Sequence, residues 1–285
     1  MTLSRAGLAA VATAVLLAGT ASGQETNPAW KQNFGFELLL NQGYYSSNWQ
    51  GDEQTSGALT ASLDHQAARQ LAKAVRFEHD IGLAFGEQLR ERDSASGGGW
   101  ETSKSDDRIE LDELLLFTLG AWVDPLVSFQ LRSQFTDIRD SNTLYLNPLQ
   151  LLETFGAGRR FYDDSTRTLT TELGAAARQA WDVRDTTDLV VDAGVSWTTA
   201  FRTKVFSSNA GYSTRLVLYK PLLALGEETE LGTWPQVNWE HELSARFNKV
   251  LSGKVYGQVL FDERIDDQPR LKQTLGMGLS LAWSN

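Results

Sequence analysis

The sequence predicts an all-β chain: a twelve-stranded antiparallel transmembrane β-barrel with short periplasmic turns and longer extracellular loops. Three observations predict it. Apolar and polar residues alternate with period two over stretches longer than ordinary soluble strands; the connectors alternate between short and long; and an export leader precedes them.

The leader is MTLSRAGLAAVATAVLLAGTASG, residues 1–23. One positive charge, Arg5, is followed by an apolar run over 8–18, and Ala21, Ser22 and Gly23 place small residues where a signal peptidase reads. The run is too short to span a bilayer. Cleavage is expected after Gly23, leaving 24–285 as one outer-membrane barrel domain. The chain has no cysteine, which removes disulfides, thiolate metal sites and cysteine nucleophiles. Lys and Arg total 26 against 36 Asp and Glu, a net charge of −10. An acidic chain of this kind lacks the basic footprint of a nucleic-acid binder, so no nucleic-acid partner is expected.

The strand segments follow in order. The first, near 34–46, sets Phe34, Phe36, Leu38 and Leu40 against Gly35, Glu37 and Asn41. Beyond the loop SSNWQGDEQ, the second runs near 55–67 and returns through 68–72. The third, near 73–88, alternates Val75, Phe77, Ile81, Leu83 and Phe85 with Arg76, Glu78, Asp80, Gly82 and Ala84. Loop 90–106 is rich in Ser, Gly and charge. The fourth, near 107–121, sets Ile109, Leu111, Leu115 and Phe117 against Arg108, Glu110 and Asp112. Turn 122–125 leads to the fifth, near 126–138, and the loop RDSNTLYLNPLQ to the sixth, near 151–161. That sixth segment is the weakest, because Glu153 and Arg159 interrupt its apolar face.

Turn 162–165 leads to the seventh, near 166–181, and the short connector 182–187 to the eighth, near 188–201, where Leu189, Val191, Val195, Trp197 and Phe201 oppose Asp188, Asp192, Gly194 and Ser196. The ninth, near 208–220, and the tenth, near 236–248, flank LLALGEETELGTWPQ. In the tenth, Val237, Trp239, Leu243 and Phe247 oppose Asn238, Glu240, Glu242, Ser244 and Arg246. Turn 249–252, the eleventh segment near 253–264 and RIDDQPR lead to the twelfth, near 271–283, in which Leu275, Met277, Leu279, Leu281 and Trp283 alternate with small or polar residues. An even count with both ends on the short-turn side lets this last strand close against the first, leaving no edge in hydrocarbon.

Tyr44, Tyr45, Trp122, Phe161, Tyr162, Trp181, Trp239 and Trp283 all fall near strand ends, where amphipathic rings suit the headgroup level. The opposite face is charged. Glu37, Arg76, Glu78, Asp80, Arg108, Glu110, Asp112, Arg132, Glu172, Arg178, Asp192, Glu240, Glu242, Arg246 and Lys272 are the candidate lumen-lining residues. Isolated ions in a dry interior are costly, so these groups must be paired or wet. Two readings stay open: a cross-lumen network bracing a narrow or plugged barrel, which would be a scaffold or surface-interaction protein without transport, or a water-filled path for small polar and ionic solutes whose selectivity the charges set.

No catalytic residue, cofactor or metal site is expected. HELSA at His241 lacks the second histidine of a zincin, and GAGRRF at 156–161 lacks the third glycine of a dinucleotide fingerprint. A lipid-modifying enzyme, with His79 and His241 on the nominal lipid face, is a third and weaker reading. Glu113 also falls on that apolar face and is unexplained by the pattern: an oligomer contact, a bulge or a shifted register would each account for it. Asp106 and Asp107, Glu227, Glu228 and Glu230, and Asp266 and Asp267 form acidic loop clusters, read as solvated rather than as cation sites.

Certain motifs carry a family resemblance. GFELLLNQGYYSSNW at 35–49, SKSDD at 103–107, VNWE at 237–240, FDE at 261–263 and LGMGLSL at 275–281 together resemble a bacterial outer-membrane β-barrel family catalogued as a domain of unknown function, number three thousand and seventy-eight. Members often continue Ser-Asn-Trp with Gly-Gly-Glu, where this chain has Gln50-Gly51-Asp52-Glu53, and here Ser284 and Asn285 follow the terminal aromatic Trp283. The resemblance implies an outer-membrane barrel and no activity. The expected partners are outer-membrane lipid and, during insertion, the barrel-assembly machinery; the pattern leaves the oligomeric state open.

Overall fold

A computed structural model describes residues 30–45, 56–91, 100–139, 142–164, 166–182, 189–206, 209–225 and 231–284. The leader and its cleavage point lie outside these residues, as do Glu227, Glu228 and Glu230. The strands are β1 (Lys31–Tyr45), β2 (Ser56–Ala72), β3 (Val75–Glu91), β4 (Trp100–Phe117), β5 (Asp124–Ser133), β6 (Thr136–Arg139), β7 (Asn142–Tyr145), β8 (Leu149–Asp163), β9 (Arg167–Trp181), β10 (Leu189–Lys204), β11 (Ala210–Ala224), β12 (Gln236–Arg246), β13 (Leu251–Phe261) and β14 (Arg270–Ser284).

Twelve of these strands form one closed antiparallel barrel, with each bonded to its sequence neighbour and β14 returning to β1. At that seam Leu38 faces Leu279 and Leu39 faces Gly278. A single sheet closed on itself excludes two sheets packed face to face over a dry core. Phe36, Trp197 and Leu279 are exposed on the outer wall, as are Phe34, Phe155, Leu173, Leu275 and Leu281, and Phe117 is partly exposed beside them. Period-two alternation over these long strands therefore sorts oil outward and charge inward, the inverse of a soluble barrel.

The barrel has a short-turn end and a long-loop end. At the short-turn end β2 joins β3 through Lys73 and Ala74, and the turn before β9 is tied by Asp164, whose Oδ1 accepts from Thr166 N at 2.8 Å, Thr166 Oγ1 at 2.5 Å and Arg167 N at 2.9 Å. The Thr166 hydroxyl and these amides hold the Asp164 carboxyl well below its ordinary range. A depressed carboxyl stabilises the folded turn at neutral pH, and that contribution disappears as acid protonates it.

Aromatic rings gather at the same rim. The Arg159 guanidinium lies 5.0 Å from the Trp122 ring and 5.3 Å from Phe161, and Arg167 lies 4.2 Å from Tyr162. Arg159, which breaks the apolar pattern of its segment, thus serves the rim: its Nη1 donates to Trp122 O at 3.0 Å. Glu153 is exposed on the outer wall.

Three boundaries differ most from the sequence expectation: β2 runs on to Ala72 through the expected turn 68–72, and the other two flank one hairpin. β4 begins at Trp100 rather than near 107, so much of the expected loop 90–106 is strand, whereas β5 ends at Ser133 rather than near 138. The β4–β5 ladder stops at Ile109↔Ser133, and β8 meets β5 no further than Gln150↔Arg132. The hairpin β6–β7 occupies the chain between, β6 taking the end of the expected fifth segment and β7 falling within the expected loop. Side chains rather than a ladder fasten it to β4. Asp107 accepts from Phe135 N at 2.5 Å and Thr136 N at 2.9 Å, and Lys104 Nζ donates to Gln134 Oε1 and Thr136 O, both at 2.9 Å. Buried Asn147 bonds Asp137 and Asp182, each at 2.9 Å.

Removing the Asp107 carboxylate strips two backbone donors of their acceptor, at about 1–3 kcal/mol each. The Asp107→Ala barrel is expected to stay closed while trypsin or thermolysin cleaves within 134–148 about tenfold faster than in the parent. Unchanged cleavage there would show that the hairpin is held by something else.

Candidate functional site: a charged lumen

The inward side chains fall into four levels. Nearest the long-loop mouth, Arg178 is paired with the fully buried Asp192, which also accepts from Tyr219 Oη at 2.5 Å. Arg178 Nη1 reaches across to Gln236 at 2.8 Å. In the loop after β13, Arg264 donates to Asp262 at 2.6 Å and 2.9 Å. Burial of Asp262 opposes its charge, but the Arg264 bonds prevail and hold its carboxyl below the usual range.

Below the mouth the long-loop half encloses a cavity of about 1060 Å³. Its walls carry Lys272, bonded across the lumen from β14 to Asp106 on β4 at 2.9 Å, and Lys254, paired with Glu37 at 2.6 Å and Glu242 at 3.3 Å. The Arg108 guanidinium spans to the Tyr256 ring on the opposite wall, 5.5 Å away. Arg108 Nε and Tyr256 Oη have no protein partner, so water must satisfy them.

The cavity ends at a constriction. Asp112 on β4 receives Arg132 from its neighbour β5 at 3.0 Å and Arg215 from the far wall, on β11, at 3.2 Å. Beyond this layer, toward the short turns, Arg202 on β10 meets Asp80 on β3 at 3.2 Å, and Arg160 on β8 bonds Glu78. The Arg202–Asp80 pair is again open to solvent, with the Arg202 side chain 55% exposed, whereas Arg160–Glu78 stays part-buried. On one side the wall is apolar instead: Leu126 is fully buried against Gly158, with Leu116 nearby on β4. Around the constriction the two signs are mixed: Glu110 and Asp112 meet Arg108, Arg132 and Arg215 within 3.6 Å.

Of the sequence-derived candidates, Glu37, Arg76, Glu78, Asp80, Arg108, Glu110, Asp112, Arg132, Arg178, Asp192, Glu240, Glu242 and Lys272 come together in these levels, and Glu172 lies on the same inward register, opposite Gly158 and Thr198. Arg246 does not join them. It ends β12 and is exposed at the short-turn rim. The alternation continued one strand further would have found Arg215, Lys254 and Tyr256. Arg160 was hidden by the bulge between Arg160 and Tyr162, and Arg202 by lying where the pattern places a turn. Asp106 and Asp107, expected in a solvated loop, are instead a cross-lumen partner of Lys272 and the clasp of the hairpin. On the outer wall, Glu113 pairs with His79 at 2.5 Å in an unshifted register, so neither a bulge nor a slip puts it there. His241 accepts or donates a bond with Tyr212 at 2.8 Å beside the Trp239 ring.

No protein-family model and no curated protein matches the chain. Solved structures with similar backbones include an outer membrane channel from Pseudomonas putida F1, at 10% identity over 93% of this chain and 100% of that one, TM-score 0.43. The NanC porin is similar at 9% identity over 85% and 98% of the two chains, TM-score 0.41. The translocator domain of the autotransporter NalP from Neisseria meningitidis is similar at 10% identity over 97% and 96%, TM-score 0.37. Likenesses this distant assign no activity.

Proposed function

We propose that this chain is a bacterial outer-membrane channel for small polar or ionic solutes. The observation that carries the reading is the lumen: a wet cavity of about 1060 Å³ separated from the solvent-exposed Arg202–Asp80 pair by the ion-paired layer at Asp112. Opposed charges at such a layer set the selectivity of what passes. The apolar outer wall, the aromatic rim and the leader residues 1–23, cleaved after Gly23, support export to the outer membrane and insertion by the barrel-assembly machinery. The motif resemblance to the outer-membrane family of unknown function supports the same location.

The cross-lumen pairs Arg160–Glu78, Arg202–Asp80, Arg215–Asp112 and Lys272–Asp106 favour a second reading, a braced scaffold that conducts nothing. Planar bilayers decide between them. The purified barrel is expected to give stepwise currents, and its reversal potential in a potassium chloride gradient reads the selectivity of the lumen. Heat-modifiable protein that inserts yet gives no steps would leave the scaffold.

A further inference from the structure

The outer wall carries a polar track that the lumen does not use. It begins at the short-turn rim, where Trp30 packs edge-on against Phe77 at 6.0 Å and the Arg69 guanidinium lies 5.6 Å from the Trp30 ring. One step further into the apolar belt lie His65 and His79, their rings 5.5 Å apart, with His65 Nε2 3.4 Å from Gln32 Oε1. The track ends at Glu113, bonded to His79 Nδ1 at 2.5 Å. Register places all of them outward: Phe34 faces His65, Arg69 faces Phe77, and His79 faces Glu113. Beyond the track the same face is Phe36, Leu63, Ile81, Leu83 and Leu111.

Polar groups on a hydrocarbon-facing wall are costly unless something satisfies them. The protein leaves this set incomplete, since Arg69 Nε and Glu113 Oε2 are buried without a partner. A resident metal ion does not fit, because among the described residues no group of three or more His, Asp or Glu side chains is arranged to hold one. The order of the groups does fit a lipid. A glycerophospholipid in the adjacent leaflet presents its phosphate at headgroup depth, its glycerol and ester oxygens one step deeper, and its chains deeper still. The wall presents a cation beside a tryptophan, then imidazoles able to give or take a hydrogen bond, then aliphatic and aromatic side chains.

We infer that this face of the barrel holds one glycerophospholipid, its phosphate on Arg69 beside Trp30 and its glycerol backbone against the His65, His79 and Glu113 group. The inference rests on the membrane reading of the fold. The bound lipid would keep the ionisable track covered in the bilayer and would fix how the barrel sits against its leaflet.

Native mass spectrometry of detergent-solubilised barrel, titrated with dioleoylphosphatidylglycerol or phosphate-free dioleoylglycerol, tests it. The parent is expected to retain one phosphatidylglycerol and no diacylglycerol. Arg69→Gln and His79→Ala should each cut retention about tenfold, as loss of a charge-assisted hydrogen bond implies. Arg159→Gln, on β8 three strands round the same rim from β3, should leave retention unchanged. Each variant is first checked for heat-modifiable mobility, so misfolding is not read as lost binding. Equal retention in all variants, an equal loss in Arg159→Gln, or a lipid-free dimer that Arg69→Gln dissolves would each overturn the lipid site. A parent chain with no heat-modifiable form would overturn the membrane reading instead.

Discussion

Asp112→Asn is expected to shift the channel toward anions, and Arg215→Gln to shift it toward cations. Asp112 sits between Arg132 and Arg215, and its carboxylate is what keeps two guanidinium groups from presenting bare positive charge at this ion-paired layer. Neutralising it leaves both cations opposed only by carboxylates further off, including Glu110, 3.6 Å from Arg132. Neutralising Arg215 does the reverse, because Arg132 alone then offsets Asp112 while Glu172 and Glu240 are unchanged. One charge about 4 Å from a passing ion is worth about 1 kcal/mol in bulk water and about 4 kcal/mol at the effective dielectric of a protein surface. The potassium-to-chloride permeability ratio should therefore move about tenfold in opposite directions for the two variants. Reversal potentials under a salt gradient measure it. Shifts of the same sign, or none, would place the selective layer elsewhere and remove Asp112 from the mechanism. Raising the ionic strength should shrink both shifts, since screening shortens the reach of each charge.

The two variants also bear on what the sequence can and cannot disclose. Strand positions were legible because one physical rule, oil outward and charge inward, repeats along every segment from Phe34 to Trp283. Lumen orientation followed from the same alternation, which is why Asp112, Arg132 and Asp192 could be assigned to one interior without any knowledge of their partners. The partners themselves were not legible. Arg215 is 103 residues from Asp112 and Lys272 is 166 from Asp106, and only closure and strand tilt bring them to one height. The pattern also failed at the hairpin. Period-two reading carries the fifth segment on to 138, but the real ladder stops at Ser133, because Asp107 and Lys104 offer residues 134–136 better partners than another strand would. Glu113 was visible as an anomaly and its partner His79 was not, since the pairing depends on the register between two strands.

A methyl group added at Gly278 should prevent the barrel from closing. The expectation comes from the seam, where the last strand meets the first. A Cβ at Gly278 would stand 1.9 Å from the Leu38 carbonyl oxygen and 2.9 Å from Leu39 Cα. These are backbone atoms, and the register fixes them on both sides of Leu39↔Gly278, so no side chain can turn aside to make room. Overpacking a well-formed site costs about 1–3 kcal/mol, and a clash against backbone belongs at or above the top of that range. Elsewhere in the sheet such strain could spread into neighbouring ladders. At the seam it instead competes with leaving β14 and β1 apart, which exposes two unpaired edges to hydrocarbon. Gly257, on β13, is the matched control, because an added Cβ there meets nothing within 4 Å. Gly257→Ala should fold with the heat-modifiable mobility and protease resistance of the parent, and Gly278→Ala should lose both. A fully closed Gly278→Ala barrel would mean that the seam breathes enough to admit a methyl group, and the close approach of β1 and β14 could no longer be what seals the wall.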